Sequence, residues 1–165
     1  MSTTTNREAT ITADPDVPVV TIVREFDAPP ERVYRAWEDP DLVRRWLGPR
    51  SLEMDIETWD CRTGGSYRYA ATREGQEIAR FYGSFHEARP GERLVQTFTW
   101  EGMPDGVSLE TMTFEPLDGG TRCRIVSTAV VDSMEAQRAM MASGMEVGIN
   151  EGYQKLDELL ASGQA

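Results

Sequence analysis

The sequence predicts an α+β domain in which a curved antiparallel sheet wraps around a long C-terminal helix, with two short helices after the first strand. Three observations predict it. An early β-branched run is followed by a proline-punctuated amphipathic stretch. A hydrophobic period of two then persists from Leu52 to Val131, and a helical period takes over from Met134. The 165 residues, 39% hydrophobic and 27% charged, suit one domain with a core of its own. The expected division is a flexible segment over 1–16 and a single domain over 17–165.

The N-terminal segment is polar in STTTN and is punctuated by Asp14-Pro15-Asp16 and Pro18, although Ala9–Thr12 is compatible with a short strand. Val17–Phe26 is rich in β-branched residues and reads as the first long strand. Asp27-Ala28-Pro29-Pro30-Glu31 puts acid and proline where a helix begins, and Val33, Tyr34 and Trp37 form its apolar face. Asp39 caps a second helix with Pro40 in its first turn. Leu42, Val43 and Trp46 are its apolar side, and Gly48-Pro49 ends it.

Six strands follow, separated by turn signals at Gly64-Gly65, Glu74-Gly75, Pro90-Gly91, Pro104-Asp105-Gly106 and Asp118-Gly119-Gly120. Short turns at this spacing describe an antiparallel meander. The last segment opens on Asp132-Ser133-Met134-Glu135, a capping box with Asp in the cap position. Met141, Met145, Ile149, Gly152 and Leu156 then recur at helical spacing, with Ser143-Gly144 as a break between a short helix and a long one. One long helix cannot cover two sheets, so the strands must curve around it. This is the helix-grip arrangement, and it leaves interior space because a curved sheet and a cylinder do not fit closely.

Several segments resemble the SRPBCC or START-like (Bet v-like) superfamily, and most closely the activator of heat-shock-protein-90 ATPase homologue-like C-terminal domain family. They are REFDAPPERVYRAWEDPDLVRRWLGP at Arg24–Pro49, DCRTGGSYRY at Asp60–Tyr69, GSFHEARPGERLVQT at Gly83–Thr97, GGTRCRI at Gly119–Ile125 and GMEVGINEGYQKLDELL at Gly144–Leu160. Pro90-Gly91 departs from the Pro-Pro usual at that turn of the family. The resemblance implies the helix-grip fold. It does not imply one activity, since the superfamily includes lipid carriers, hormone receptors, cyclases and co-chaperones.

A formal charge of -11 argues against nucleic acid or an anionic membrane as partner, despite the local cluster Arg44, Arg45 and Arg50. No apolar run reaches the ~20 residues of a membrane span, and Met1–Asn6 lacks a signal-peptide core, so a cytoplasmic protein is expected. Cys61 and Cys123 are expected as free thiols, Cys123 in the core. One histidine and two distant cysteines offer no zinc spacing, and no phosphate loop or nucleophile motif occurs. No cofactor and no metal are expected.

The inner sheet face should carry Tyr67, Tyr69, Phe81, Phe85, Phe98, Trp100 and Met112, each on the more apolar phase of its strand. Met141, Met145, Gly148 and Ile149 would face them from the helices, and Trp46 would wall one end. These residues either pack the core or line an apolar pocket. Glu110 shares the phase of Met112 and Phe114, and Gln96 that of Leu94 and Phe98. At the open end Glu110 would simply be solvated; pointing inward, its carboxyl must be protonated, paired or bonded to a ligand, as a polar anchor or an acid-base group. His86 lies on the opposite phase from Phe85 and is expected outside, unless a bulge near Glu87-Ala88 turns it.

The expected function is binding of a small, largely apolar molecule between sheet and helix. The rivals are a cyclase- or hydrolase-like enzyme using the same pocket, with Glu110 and His86 as its titratable groups, and a protein-interaction module, which an exposed apolar patch outside the pocket would favour. Oligomeric state stays open, a homodimer through an edge strand included.

Overall fold

The computed structural model describes residues 7–165. The chain forms β1 (Thr10–Ala13), β2 (Val19–Phe26), α1 (Pro30–Glu38), α2 (Pro40–Trp46), β3 (Glu53–Trp59), β4 (Ser66–Arg73), β5 (Gln76–Arg89), β6 (Arg93–Trp100), β7 (Ser108–Leu117), β8 (Arg122–Val130), α3 (Met134–Ala142) and α4 (Met145–Ala161). All eight strands join one antiparallel, curved sheet in the order β1-β2-β8-β7-β6-β5-β4-β3. After β2 the chain crosses by α1 and α2 to the far edge at β3 and meanders back until β8 pairs with β2. The register is irregular between Ile56 and Thr58, Ala71 and Thr72, and Phe85 and Glu87. Such irregularities bend strands and increase local twist, which suits a sheet that wraps a helix.

Two sequence expectations need correction. The first is the flexible segment over 1–16. Its start, Met1–Asn6, lies outside the described residues, but Thr10–Ala13 is the edge strand β1, paired from Thr10–Val23 to Ala13–Val20. The β-branched run Thr10, Ile11 and Thr12 supplies the strand preference that the polar surroundings hide. The second is the cap of α3. Ser133, rather than Asp132, holds that position, and its side chain accepts from the Ala136 N–H. Asp39 does cap α2, accepting from the Asp41 N–H. The break at Ser143-Gly144 is present, with Gly144 in the left-handed region at φ 83°.

The core is densest where α1, α2 and α4 meet the sheet. Trp37 sits at its centre, 4.6 Å from Trp46, 5.7 Å from Phe114, 6.2 Å from Tyr153 and 6.4 Å from Phe26 between ring centroids. The indole N–H groups are satisfied by backbone: Trp46 donates to the Ala36 carbonyl and Trp59 to that of Trp37, both at 2.8 Å. Leu156 and Leu160 of α4 close the same cluster.

α4 is fastened by charge as well. Arg24 lies on the inward phase of β2 with Val20 and Phe26 and is 2% exposed. Its guanidinium donates to both Asp157 carboxylate oxygens, at 2.8 and 2.5 Å, and lies 4.7 Å from the Phe26 ring centroid. A bidentate, stacked arginine suits a buried guanidinium whose carboxylate partner is still partly exposed. α3 is held differently. The buried Gln137 amide donates to the carbonyls of Asp14, Val17 and Val19, tying the helix to the turn before β2.

Candidate functional site

The inner face divides into a sealed half and a half-open one. In the sealed half, Tyr67 and Phe85 are buried with Trp59 over them, at centroid distances of 5.0 and 5.7 Å. The Tyr67 hydroxyl donates to the Thr97 carbonyl at 2.6 Å. Gly83 makes room for that ring: a Cβ there would lie 2.0 Å from the Thr97 oxygen and 2.6 Å from the Tyr67 hydroxyl. Tyr67 and Phe85 are therefore core residues, and so is Trp46, buried between Trp37 and Tyr153.

In the half-open part, Tyr69, Phe81 and Phe98 form a continuous run, each neighbour pair 5.2 Å apart. Phe81, Phe98, Met112 and Ile149 pack on the core with part of their surface open. Met145, in the first turn of α4, is also half-buried. Phe81, Phe98, Met112 and Ile149 thus make a partly open aromatic strip, or groove, on the inner sheet face.

Glu110 lies at this groove. In register it stands opposite Gln96 on β6 and Ala129 on β8. Gln96 Nε2 donates to Glu110 Oε1 at 3.0 Å, and Ser108 Oγ to Oε2 at 3.5 Å. Burial pushes the Glu110 carboxyl up to about 7, against the pull of those two hydrogen bonds. Burial also raises the phenols of Tyr67, Tyr69 and Tyr153, and the charge of Glu110 adds to each rise. The Gln96 Oε1 atom is buried without a hydrogen-bond partner. The strand phase made Glu110 and Gln96 visible in the sequence. Ser108 carried no such signal, because its place depends on where the β6–β7 hairpin closes.

Three predicted pocket residues lie elsewhere. Trp100 is 47% exposed. It ends β6, and its indole covers the turn at Gly102, where a Cβ would meet Trp100 Cζ2 at 2.2 Å. Met141 on α3 is exposed. A Cβ on Gly148 would meet Pro49 at 3.6 Å, ordinary contact, and one on Gly152 would meet the Trp46 carbonyl at 2.9 Å. Gly152 thus permits close approach of α4 to the end of α2, and Gly148 faces Pro49 rather than the groove. His86 is exposed, next to the irregularity between Phe85 and Glu87.

Two recesses lie outside the concave face. One, of about 560 Å³, is lined by Thr58, Ser66, Arg68, Tyr82, Ser84 and Glu101, among others. Ion pairs from Arg68 to Glu57 and Glu101 fill its polar wall at 2.7 and 2.9 Å. The other, of about 290 Å³, lies along β3 between Arg44 and Trp59. Neither joins an apolar lining to an unsatisfied polar group as the groove does. Among the described residues no group of three or more metal-ligating side chains occurs, and no helix is long and apolar enough to cross a membrane. The thiols of Cys61 and Cys123 are free, and burial pushes them up to about 11 and about 12.

Comparison with known proteins gives a consistent picture. The model of the family described as Activator of Hsp90 ATPase homolog 1-like protein matches residues 27–161. A crystal structure from Rhodobacter sphaeroides is similar with a TM-score of 0.81 and 28% identity, covering 94% of this chain and 99% of that one. A solution structure from Arthrobacter aurescens has a TM-score of 0.82 and 30% identity, with coverage of 93% and 91%. A crystal structure from Mycobacterium smegmatis has a TM-score of 0.81 and 26% identity, with coverage of 92% and 96%. A search of curated proteins finds no match.

Proposed function

The chain belongs to the family of activator of Hsp90 ATPase homolog 1-like proteins, and from that premise we propose that it binds a small, largely apolar molecule in the concave groove. One observation carries this reading. A carboxyl group, raised to about 7 and paired with Gln96, sits beside aromatic residues that α4 leaves partly open. A structural core has little use for such a group, because burying a carboxyl costs stability unless something is gained. Ligand sites combine mostly apolar walls with a few placed polar groups, and this groove has that composition.

The test is a titration with Nile red, a neutral apolar dye. Saturable fluorescence enhancement is expected for the wild type. Met112→Arg, which puts a charge in the groove, should abolish it, and Tyr82→Ala on the convex face should leave it. Loss of dye binding in Tyr82→Ala with retention in Met112→Arg would move the site to the convex recess.

A protein-interaction role has one observation in its favour. Trp100, Met103, Val107 and Leu109 are all exposed around the β6–β7 connection. Side-by-side exposure of large apolar groups can mark a contact surface. This reading expects light scattering to show an assembly that Leu109→Ser disperses; a monomer at all concentrations with either residue counts against self-association.

A further inference from the structure

Resting on the groove reading above, we infer that the polar group of the ligand is a hydrogen-bond donor, a hydroxyl or a protonated amine, received between Gln96 Oε1 and the Glu110 carboxylate. A ligand carboxylate is excluded from that place.

The inference comes from counting donors and acceptors. The Gln96 amide has two N–H donors and one acceptor oxygen, and Nε2 is directed at Glu110. Its Oε1 is buried and has no partner. At pH 8, where Glu110 is mostly ionised, turning the amide end for end would put Oε1 against a carboxylate oxygen, two acceptors face to face, which fixes the orientation. The Glu110 oxygens accept from Gln96 and Ser108. An ionised carboxylate has about four lone-pair sites, so acceptor capacity remains there too. With Glu110 ionised, what the groove lacks is a donor. Hydroxyl and amine groups on an apolar body supply one.

The charges around Glu110 support the same assignment. The titratable groups that feel it are Tyr67, Tyr69 and Tyr153, all neutral phenols held that way by burial. Arg24, the inward cation of β2, has both terminal nitrogens engaged by Asp157, and its Nε is buried without a partner. A ligand carboxylate would stand beside the ionised Glu110 and meet its repulsion. A protonated amine would meet a partly desolvated carboxylate, where charge-assisted hydrogen bonds are strongest.

Three probes with one apolar chain test this: octylamine, 1-octanol and octanoate, followed by ¹⁵N–¹H NMR titration of the full chain at pH 8. All three are cheap in structure and differ in the polar end alone. The expected result is that octylamine and 1-octanol shift the resonances of Tyr69, Phe81, Phe98 and Met112, with octylamine at least about tenfold tighter than octanoate, a difference of about 1.4 kcal/mol. Glu110→Gln should bring octylamine and octanoate to within about threefold, with 1-octanol still in the groove. Gln96→Leu serves as a second variant and should weaken 1-octanol. Octanoate bound in the groove as tightly as octylamine would overturn the donor assignment and leave the groove standing. Octylamine shifts that are the same in Glu110→Gln would also overturn it, since they would report attraction to the acidic surface. If no probe shifts the groove, the binding reading fails and takes this inference with it.

Discussion

Glu110 shows how one residue can set the chemistry of a face. Its carboxyl is raised from 4.5 to about 7 in the folded protein, so the native state holds this proton more tightly than the unfolded chain does. The stabilisation is complete below about 4.5, declines as pH rises towards 7, and is gone above it. The difference corresponds to at most about 3 kcal/mol, reduced by the solvent that still reaches the side chain. Glu110→Gln removes this dependence. The variant should match the wild type near pH 4.5 and exceed it at pH 8 by roughly 1–3 kcal/mol, measured by urea melts at both values. An equal stability difference at the two pH values would mean the carboxyl is not perturbed. Arg24 is the residue the sequence did not reveal. An arginine between Val20 and Phe26 reads as a surface break in a strand pattern. Its partner Asp157 lies 133 positions away, and only the docking of α4 brings the two together. Asp157→Ala should leave a buried guanidinium without its partner and cost roughly 3 kcal/mol in a denaturant melt. A loss below about 0.5 kcal/mol would mean the pair is a surface contact of the usual weak kind.

Elements are legible from sequence where local chemistry decides them and obscure where distant packing does. The period-two run from Leu52, the Asp39 cap and the Ser143-Gly144 break are local, and each matches the structure. β1 was only half visible because a four-residue strand in a polar segment owes its existence to the free edge of β2. It also brings the Arg7 carbonyl to Arg24 Nη2 at 3.2 Å and the Ala9 N–H to Asn150 at 2.8 Å. Removing residues 1–12 should therefore lower stability by roughly 1–3 kcal/mol, or several degrees in Tm. An unchanged melting curve would show that β1 contributes nothing in solution. The α4 glycines give a paired prediction. Gly152→Ala drives a Cβ to 2.9 Å from the Trp46 carbonyl and should destabilise by about 1–3 kcal/mol. Gly148→Ala has contact room against Pro49 and should hold or gain up to about 1 kcal/mol from helix propensity. If the two alanines act alike in calorimetry, the close approach of α4 to the end of α2 is not as described.

At the scale of the whole molecule, the topology explains why one half of the concave face is sealed and the other is not. The α1–α2 crossover that carries the chain from β2 to β3 delivers Trp37 and Trp46 to one end of the groove, where α4 closes on them with Tyr153, Leu156 and Leu160. Among the described residues no comparable cluster covers Phe81, Phe98 and Met112, which stay partly open. Strand phase predicted that these residues share a face, and that prediction is correct. It could not tell which of them α4 would seal, because that depends on where the helix crosses the sheet. Trp100 was misplaced for a related reason: phase fails at the last residue of a strand, where the chain turns onto Gly102. Family membership accounts for the fold, and the claim of function rests on the Glu110 groove. Carbon-13 NMR titration of the Glu110 side-chain carboxyl, with and without saturating 1-octanol, tests that claim most directly. The account predicts a midpoint near 7 in the free protein and a clear displacement when the probe is bound. A midpoint near 4.5 that the probe leaves unmoved would contradict it.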